Sequence, residues 1–287
     1  MELTNLRQVQ ALLQRHGFRF SKSMGQNFLT AAWVPERIAE EAGLDQNTGV
    51  LEVGPGVGCL TEQLSLRAGK VLSVELDKAL KPVLAETLAG RENVTVIFGD
   101  VLRQNLPALV SEHFPGLRPV VCANLPYNVT SPLLAAFLEA GCFETITVMI
   151  QKEVAQRLCA RPGTAAYGAF TVFVNWYAEP EMLFDVSPGC FVPQPKVTST
   201  VIRLQRRQAP PAAVKDEKLL FRVVKAAFGQ RRKTLQNALA AGLGDYTKEE
   251  IAVAIATCGL DARIRGEILD IPAFCALADA LHRDRGE

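Results

Sequence analysis

The apolar positions of this chain fall into two regimes along its 287 residues. Up to residue 204, short runs rich in Val, Ile and Leu alternate with segments of helical period. Beyond Pro210-Pro211 only the helical period remains. At the start, Leu6, Val9, Leu12 and Leu13 form the stripe of an amphipathic helix over 4–16. A helix over 31–42, closed by Gly43, is expected next. Strands are then expected over 50–53, 70–75, 94–98, 119–123 and 144–150. Helices near 59–67, 78–88, 131–140 and 151–160 separate them, and 99–118 reads as a linker.

Short apolar strands alternating with helices predict βαβ units. The expected fold is therefore Rossmann-like α/β, a parallel sheet covered on both faces. Two more β-rich runs, 169–178 and 197–204, read as an antiparallel pair at one sheet edge. Four helices are expected after them, over 215–228, 230–242, 247–257 and 271–283. The expected organisation is a domain over 1–208 and a small all-helical domain over 209–287.

Hydrophobic residues make up 48% of the chain, enough for a real core. No apolar run reaches membrane-spanning length, and Met1 to Arg15 has no signal-peptide core. A cytoplasmic protein is expected. The seven cysteines are scattered without a C-x-x-C, and there are three histidines, so neither a disulfide framework nor a metal site is expected. Net charge is +1, but its distribution is uneven. Residues 196–233 hold eleven Lys or Arg against Asp216 and Glu217, a local net of +9. A polyanion partner and a solvated helix face both fit such a band.

The stretch Val50 to Thr61 reads V-L-E-V-G-P-G-V-G-C-L-T. A strand, a glycine turn and a helix start let backbone approach a ligand closely. The dinucleotide pattern fits poorly, because Cys59 stands where its third glycine belongs, and no Lys-Ser or Lys-Thr follows for a P-loop. Glu52 inside the strand favours a cationic ligand, and S-adenosylmethionine is the nucleoside that carries one. A tight turn with no ligand is the plainer alternative. Glu75 ends the next strand twenty-one residues after Gly54, the spacing of a ribose-binding acid. Asp77 competes for that role, and a surface carboxylate is the alternative. Asp100 follows the strand 94–98, placed for an adenine amino group or for a helix cap.

Asn124-Leu125-Pro126-Tyr127 is the most specific stretch. The Asn124 amide oxygen and the Leu125 carbonyl can both accept from an exocyclic NH2 group. Pro126 restricts the residue before it, which aims that carbonyl. Tyr127 offers a face to a flat base. Two acceptors on an adenine N6 would direct its lone pair toward a methyl donor, mainly by positioning and electrostatics. An Asn-Pro turn is the alternative.

Together with Asn27-Phe28-Leu29, Phe191 to Ser199 and Phe228 to Asn237, these motifs resemble the ribosomal RNA adenine N6,N6-dimethyltransferase family. The arginine-lysine segment resembles its small-subunit (KsgA, or RsmA) branch. The resemblance implies a class I S-adenosylmethionine-dependent methyltransferase sheet. It implies Asn27 and Leu29 at the methionine part of S-adenosylmethionine, Gly54 along its path, Glu75 on the ribose and Asp100 on the adenine. Asn124 would serve both cofactor and catalysis, with Leu125 and Pro126 in the same loop. Tyr127 and Phe191 would sandwich a flipped adenine, with core packing as the alternative for Phe191. Lys196, Arg203, Arg206, Arg207, Arg222, Lys225, Arg231, Arg232 and Lys233 would hold RNA backbone. Arg15, Arg19 and Lys22 would extend that surface. Gln236 departs from the branch, where a basic residue is expected.

The implied reaction is the transfer of four methyl groups to two adjacent adenines in the 3′-terminal hairpin of small-subunit (16S) rRNA. The implied partner is a 30S subunit or its precursor, and nothing demands more than a monomer. Alternatives are a large-subunit rRNA methyltransferase conferring macrolide resistance, a non-catalytic assembly factor, and a DNA adenine methyltransferase.

Overall fold

The computed structural model describes residues 1–18 and 27–283. Arg19, Lys22, Gly25 and Gln26 lie outside the described residues. The chain forms two compact units, one of Met1–Ala155 with Glu179–Arg206, the other of Gln156–Ala178 with Arg207–Glu287. This differs from the expected division at 208/209, because 156–178 packs with the later helices.

The first unit is built on a seven-stranded sheet. Its elements in chain order are α1 (Leu6–Arg15), β1 (Phe28–Leu29), α2 (Trp33–Glu41), β2 (Thr48–Val53), α3 (Cys59–Ser65), β3 (Lys70–Glu75), α4 (Lys81–Thr87) and β4 (Val94–Phe98). Then come α5 (Leu106–His113), β5 (Arg118–Asn124), α6 (Thr130–Ala140), β6 (Thr145–Gln151) and α7 (Lys152–Leu158), which runs on past Ala155. The strand order is β4-β3-β2-β5-β6, followed by β9 (Ser199–Arg206) and β7 (Ala178–Val186). The first five strands pair in parallel, and β9 runs antiparallel to β6. Val50 pairs with Val71 on one side and Val120 on the other, so the centre of the sheet is β-branched and dry. Strand order reverses between β2 and β5. Ligands of open α/β sheets bind at the carboxyl ends beside such a switch point.

The sequence missed α5. Asn105 caps it by accepting the Ala108 N–H at 3.1 Å, and Pro107 fits its first turn. Asn-Leu-Pro reads equally as a turn, which hides the start. A separate two-stranded ribbon joins β1 to β8 (Phe191–Val192), with Leu29 opposite Phe191.

The second unit holds α8 (Ala169–Tyr177), α9 (Glu217–Gly229), α10 (Leu235–Gly242), α11 (Lys248–Thr257) and α12 (Ile271–Leu281). The β-rich run 169–178 is thus a helix, and the expected edge strand begins where that run ends. Val172 and Trp176, four apart, are buried in one core with Leu220, Val224 and Phe274, while Phe170 stacks on Phe173, which meets Tyr177 edge-on. Packing outweighs the β preference of these side chains. The Thr171 hydroxyl donates to the Arg157 carbonyl at 2.7 Å. Asp216, Thr247 and Asp270 cap α9, α11 and α12. Helices α9 and α10 cross closely, since a Cβ on Gly242 would lie 2.5 Å from that of Ala226.

Candidate active site

The glycine turn leaves β2 at its carboxyl end. Gly54 and Gly56 hold φ of +70° and +61°, conformations that side chains disfavour. A Cβ on Gly56 would also press to 3.3 Å from the Phe28 ring. Gly58 then starts α3.

Two acids flank this turn. Glu75, nearly buried at the end of β3, accepts the Gly56 N–H at 3.2 Å and the Asp77 N–H at 2.8 Å. Burial pushes its carboxyl above the ordinary range, and those N–H donors oppose the shift. Asp77 itself caps the next turn through Ala79. Glu52 is sealed inside, and one of its oxygens accepts both the Thr61 hydroxyl at 2.7 Å and the Ser73 hydroxyl at 2.6 Å. Burial raises it to about 7, against those two hydrogen bonds. Thr61 and Ser73 were not among the residues expected at the site.

Asp100 caps the 3-10 turn Val101–Arg103, accepting the Leu102 N–H at 3.0 Å, and its other oxygen lies 3.5 Å from Arg103 Nε. The cap expected of it is present.

At the end of β5, Leu125 donates its N–H to the Met149 carbonyl at 3.2 Å. The Pro126 carbonyl accepts from the Val129 N–H and the Thr130 hydroxyl, both at 3.2 Å. Among the described residues, the Asn124 side-chain amide and the Leu125 carbonyl make no hydrogen bond. Two acceptors thus stand uncommitted at the switch point. The Tyr127 hydroxyl lies 2.6 Å from Ser199 Oγ. Burial raises the Tyr127 phenol above its ordinary range.

One cavity of about 230 Å³ brings most of these residues together. Asn27, Leu29, Gly54, Glu75, Asp100 and Asn124 all line it, with Glu52, Leu125 and Pro126. Leu76 and Leu102 line it too, and each is unusually open for leucine, at 57% and 41% exposed. An apolar residue just beyond a strand-end acid was the available signal. Tyr127 and Phe191 do not line the cavity. Phe191 is fully buried among Leu29, Val34 and Val201, so it offers no face to a base and the sandwich is not formed. It packs because its strand pairs with β1.

The basic residues divide by what they already hold. In the first unit, Arg203 donates to Glu181 at 2.7 Å and to the Glu41 carbonyl at 3.2 Å. Arg206 donates to the Leu138 carbonyl at 3.0 Å, near the end of α6. In the second, Arg207 donates to the Asn175 carbonyl at 3.0 Å, and Arg222 pairs with Asp245 at 2.5 Å. Arg231 donates to the carbonyls of Ala165 and Tyr167, both at 2.9 Å, with Glu267 at 3.6 Å. Lys196, Lys225, Arg232 and Lys233 are exposed and make no ion pair among the described residues. Arg15 pairs with Glu86.

Among the described residues no acid, histidine or cysteine cluster suits a metal, and no helix is long and apolar enough to cross a membrane. All seven cysteines are free thiols, and burial pushes Cys59 up to about 12.

Residues 17–258 match the family described as ribosomal RNA adenine dimethylase. The protein named ribosomal RNA small subunit methyltransferase A of Geobacillus thermodenitrificans is 47% identical over 274 residues, covering 94% of each chain. Its namesake in Streptococcus gordonii is 43% identical over 285 residues and 98% of each chain. Among solved structures, a dimethyladenosine transferase from Plasmodium falciparum superposes with a TM-score of 0.72 at 23% identity, over 87% of this chain and 95% of its own. The 23S rRNA methyltransferase ErmE gives 0.66 at 30% identity, over 88% and 99%.

Proposed function

The chain belongs to the ribosomal RNA adenine dimethylase family, and from that premise we propose that it methylates N6 of two adjacent adenosines in small-subunit (16S) rRNA. The substrate is the 3′-terminal hairpin, in a 30S subunit or its precursor, and the product is N6,N6-dimethyladenosine. The observation that carries this reading is the pair of uncommitted acceptors, the Asn124 amide oxygen and the Leu125 carbonyl, at the end of β5.

S-adenosylmethionine, when bound, supplies an electrophilic methyl group. The residues present fit it: a cavity with a sealed acid for a cationic ligand, a backbone turn without side chains, and strand-end carboxylates. Glu52 faces the cationic part electrostatically, and Asn27 and Leu29 meet the methionine part. Gly54 lets the ligand pass close to the backbone. Glu75 accepts from the ribose hydroxyls and Asp100 from the adenine amino group. Leu76 and Leu102 give flat apolar walls.

Asn124 and Leu125 accept hydrogen bonds from the N6 hydrogens of the target, two before the first methylation and one before the second, and hold its lone pair toward the donor. Pro126 keeps that carbonyl aimed. Tyr127 alone supplies the stacking face, since Phe191 is committed to the core. Lys196, Lys225, Arg232 and Lys233 hold phosphates, while Arg203, Arg206, Arg207, Arg222 and Arg231 chiefly brace the protein. RNA binding then depends strongly on salt.

The relatives between 43% and 47% identity are named for the small subunit, and ErmE at 30% for 23S rRNA, which favours the small-subunit reading over the large-subunit one. Labelled S-adenosylmethionine with undermethylated 30S and 50S subunits, offered separately, tests it. Labelled N6,N6-dimethyladenosine from the 30S sample alone is expected. The same nucleoside from the 50S sample would overturn the substrate assignment, and no label in either would overturn the activity.

A further inference from the structure

We propose that Ser199 is a positioning residue for the methyl transfer, holding the Tyr127 ring so that one face meets the incoming base. The inference rests on the reading of Asn124 to Tyr127 as the adenine-methylating loop. It concerns a residue that touches neither donor nor base.

The loop between β5 and α6 is fixed through its backbone at Leu125 and Pro126. Those bonds leave the torsions of the Tyr127 side chain undetermined. The polar contact that fixes its far end is the 2.6 Å bond to Ser199 Oγ. A tyrosine has two side-chain torsions; its phenol oxygen lies on the axis of the second, so the bond to Ser199 fixes the first, which sets where the ring stands. Without it the ring would sample other wells and stack less often.

The anchor is a stiff one. Ser199 is fully buried at the first position of β9 and pairs with Gln151, the last residue of β6. The next residue points to the other face of the sheet and is tied there. Thr200 donates to Asp185 at 2.7 Å, and the other Asp185 oxygen takes Lys152 Nζ at 2.5 Å. The Lys152 N–H also donates to the Thr198 carbonyl at 3.0 Å. The start of β9 is therefore held on one face through Thr200 and along its backbone through Thr198 and the pairing with Gln151, which restrains Ser199 if the ring swings.

A mere space-filling role would not need this pairing. The Tyr127 residue is only partly buried, but its hydroxyl meets a fully buried partner. Ser199 has no solvent access, and its hydroxyl depends on the phenol.

The test is a double-mutant cycle with Tyr127→Phe, Ser199→Ala and the combined variant, assayed on undermethylated 30S subunits. Single-turnover rate, RNA KM and calorimetric affinity for S-adenosylmethionine are read together. Each single variant is expected to lose about tenfold in rate, the worth of one well-formed hydrogen bond, with donor affinity unchanged. The combined variant is expected to be no slower than the slower single, because both remove the same bond. Losses that multiply, or a single variant with normal rate, would overturn the anchor. So would a parallel fall in donor affinity, which would mark general damage to the fold. The wild-type protein labelling no RNA would instead overturn the functional reading. The chain has four tyrosines, so ring-labelled NMR separates the two failures. A Tyr127 signal unmoved by Ser199→Ala defeats the anchor regardless of activity.

Discussion

Ser73 Oγ donates to Glu52 across 2.6 Å, and both side chains are sealed inside the first unit. The Thr61 hydroxyl reaches the same oxygen. Two neutral donors stabilise a carboxylate less than burial penalises it, so the group stays protonated up to about pH 7.

The consequence is a pH dependence with a definite sign. Below pH 4.5 the group is protonated in the folded and unfolded chain alike, and its contribution to stability is largest. Between 4.5 and about 7 the unfolded chain ionises first, so stability falls as pH rises, by on the order of 3 kcal/mol in total. Glu52→Gln should flatten that fall and raise the melting temperature of the ligand-free protein at pH 8. The same variant should bind S-adenosylmethionine more weakly, since it lacks the anion. Thermal scans against pH and calorimetry check the two halves. A variant that binds the donor normally at pH 8 would refute the electrostatic role.

Asn124→Ala should abolish turnover while sparing RNA binding. It removes one of two uncommitted acceptors, and loss of such a preorganised group costs about a hundredfold to a thousandfold. Filter binding and single-turnover assays separate the effects. Near-normal turnover would end the clamp argument.

Arg231 and Arg232 are neighbours with different work. Arg231→Ala should lower stability by about 1–2 kcal/mol, discounted for its half-exposed position, because it strips two carbonyls of their donor. Arg232→Glu should leave the melting temperature alone and weaken RNA binding, and Arg232→Ala should reduce the salt slope by about one. Equal melting losses in both would show that neither serves phosphate. The joint Arg231→Glu, Arg232→Glu variant should lose RNA affinity and keep donor affinity, which calorimetry checks.

Gly242→Val should destabilise the second unit by at least ~1–3 kcal/mol, since even its Cβ collides with Ala226 at the α9–α10 crossing. Urea unfolding measures it. Unchanged stability would mean the crossing yields more readily than its 2.5 Å spacing implies.

The sheet and its strand-end acids were legible because they are local. An apolar run ending in glycine or acid marks a strand and its carboxyl end without any distant partner. Six residues assigned to the cofactor from motifs converge on one cavity. What escaped depends on partners far away in sequence. Phe170 to Tyr177 carry strand-like side chains, and only packing on α9 makes them helical. The resemblance places Phe191 against a flipped base, yet pairing with Leu29 draws it inward. The link from Tyr127 to Ser199 spans seventy-two residues, and no local pattern announces it. A run of positive charge gave no sign of which guanidiniums were already spent on carbonyls.

The path of the chain through its two units makes them inseparable by a single cut. Residues 156–178 enter the helical unit before β7, β8 and β9 are laid down, and the chain returns to it at 207. Ending translation at Pro210 would leave Val172 and Trp176 without Leu220, Val224 and Phe274 to cover them. A catalytic fragment made that way would carry a bared aromatic face and tend to self-associate. Swapping the helical unit between relatives would require three splice points, at 155/156, 178/179 and 206/207.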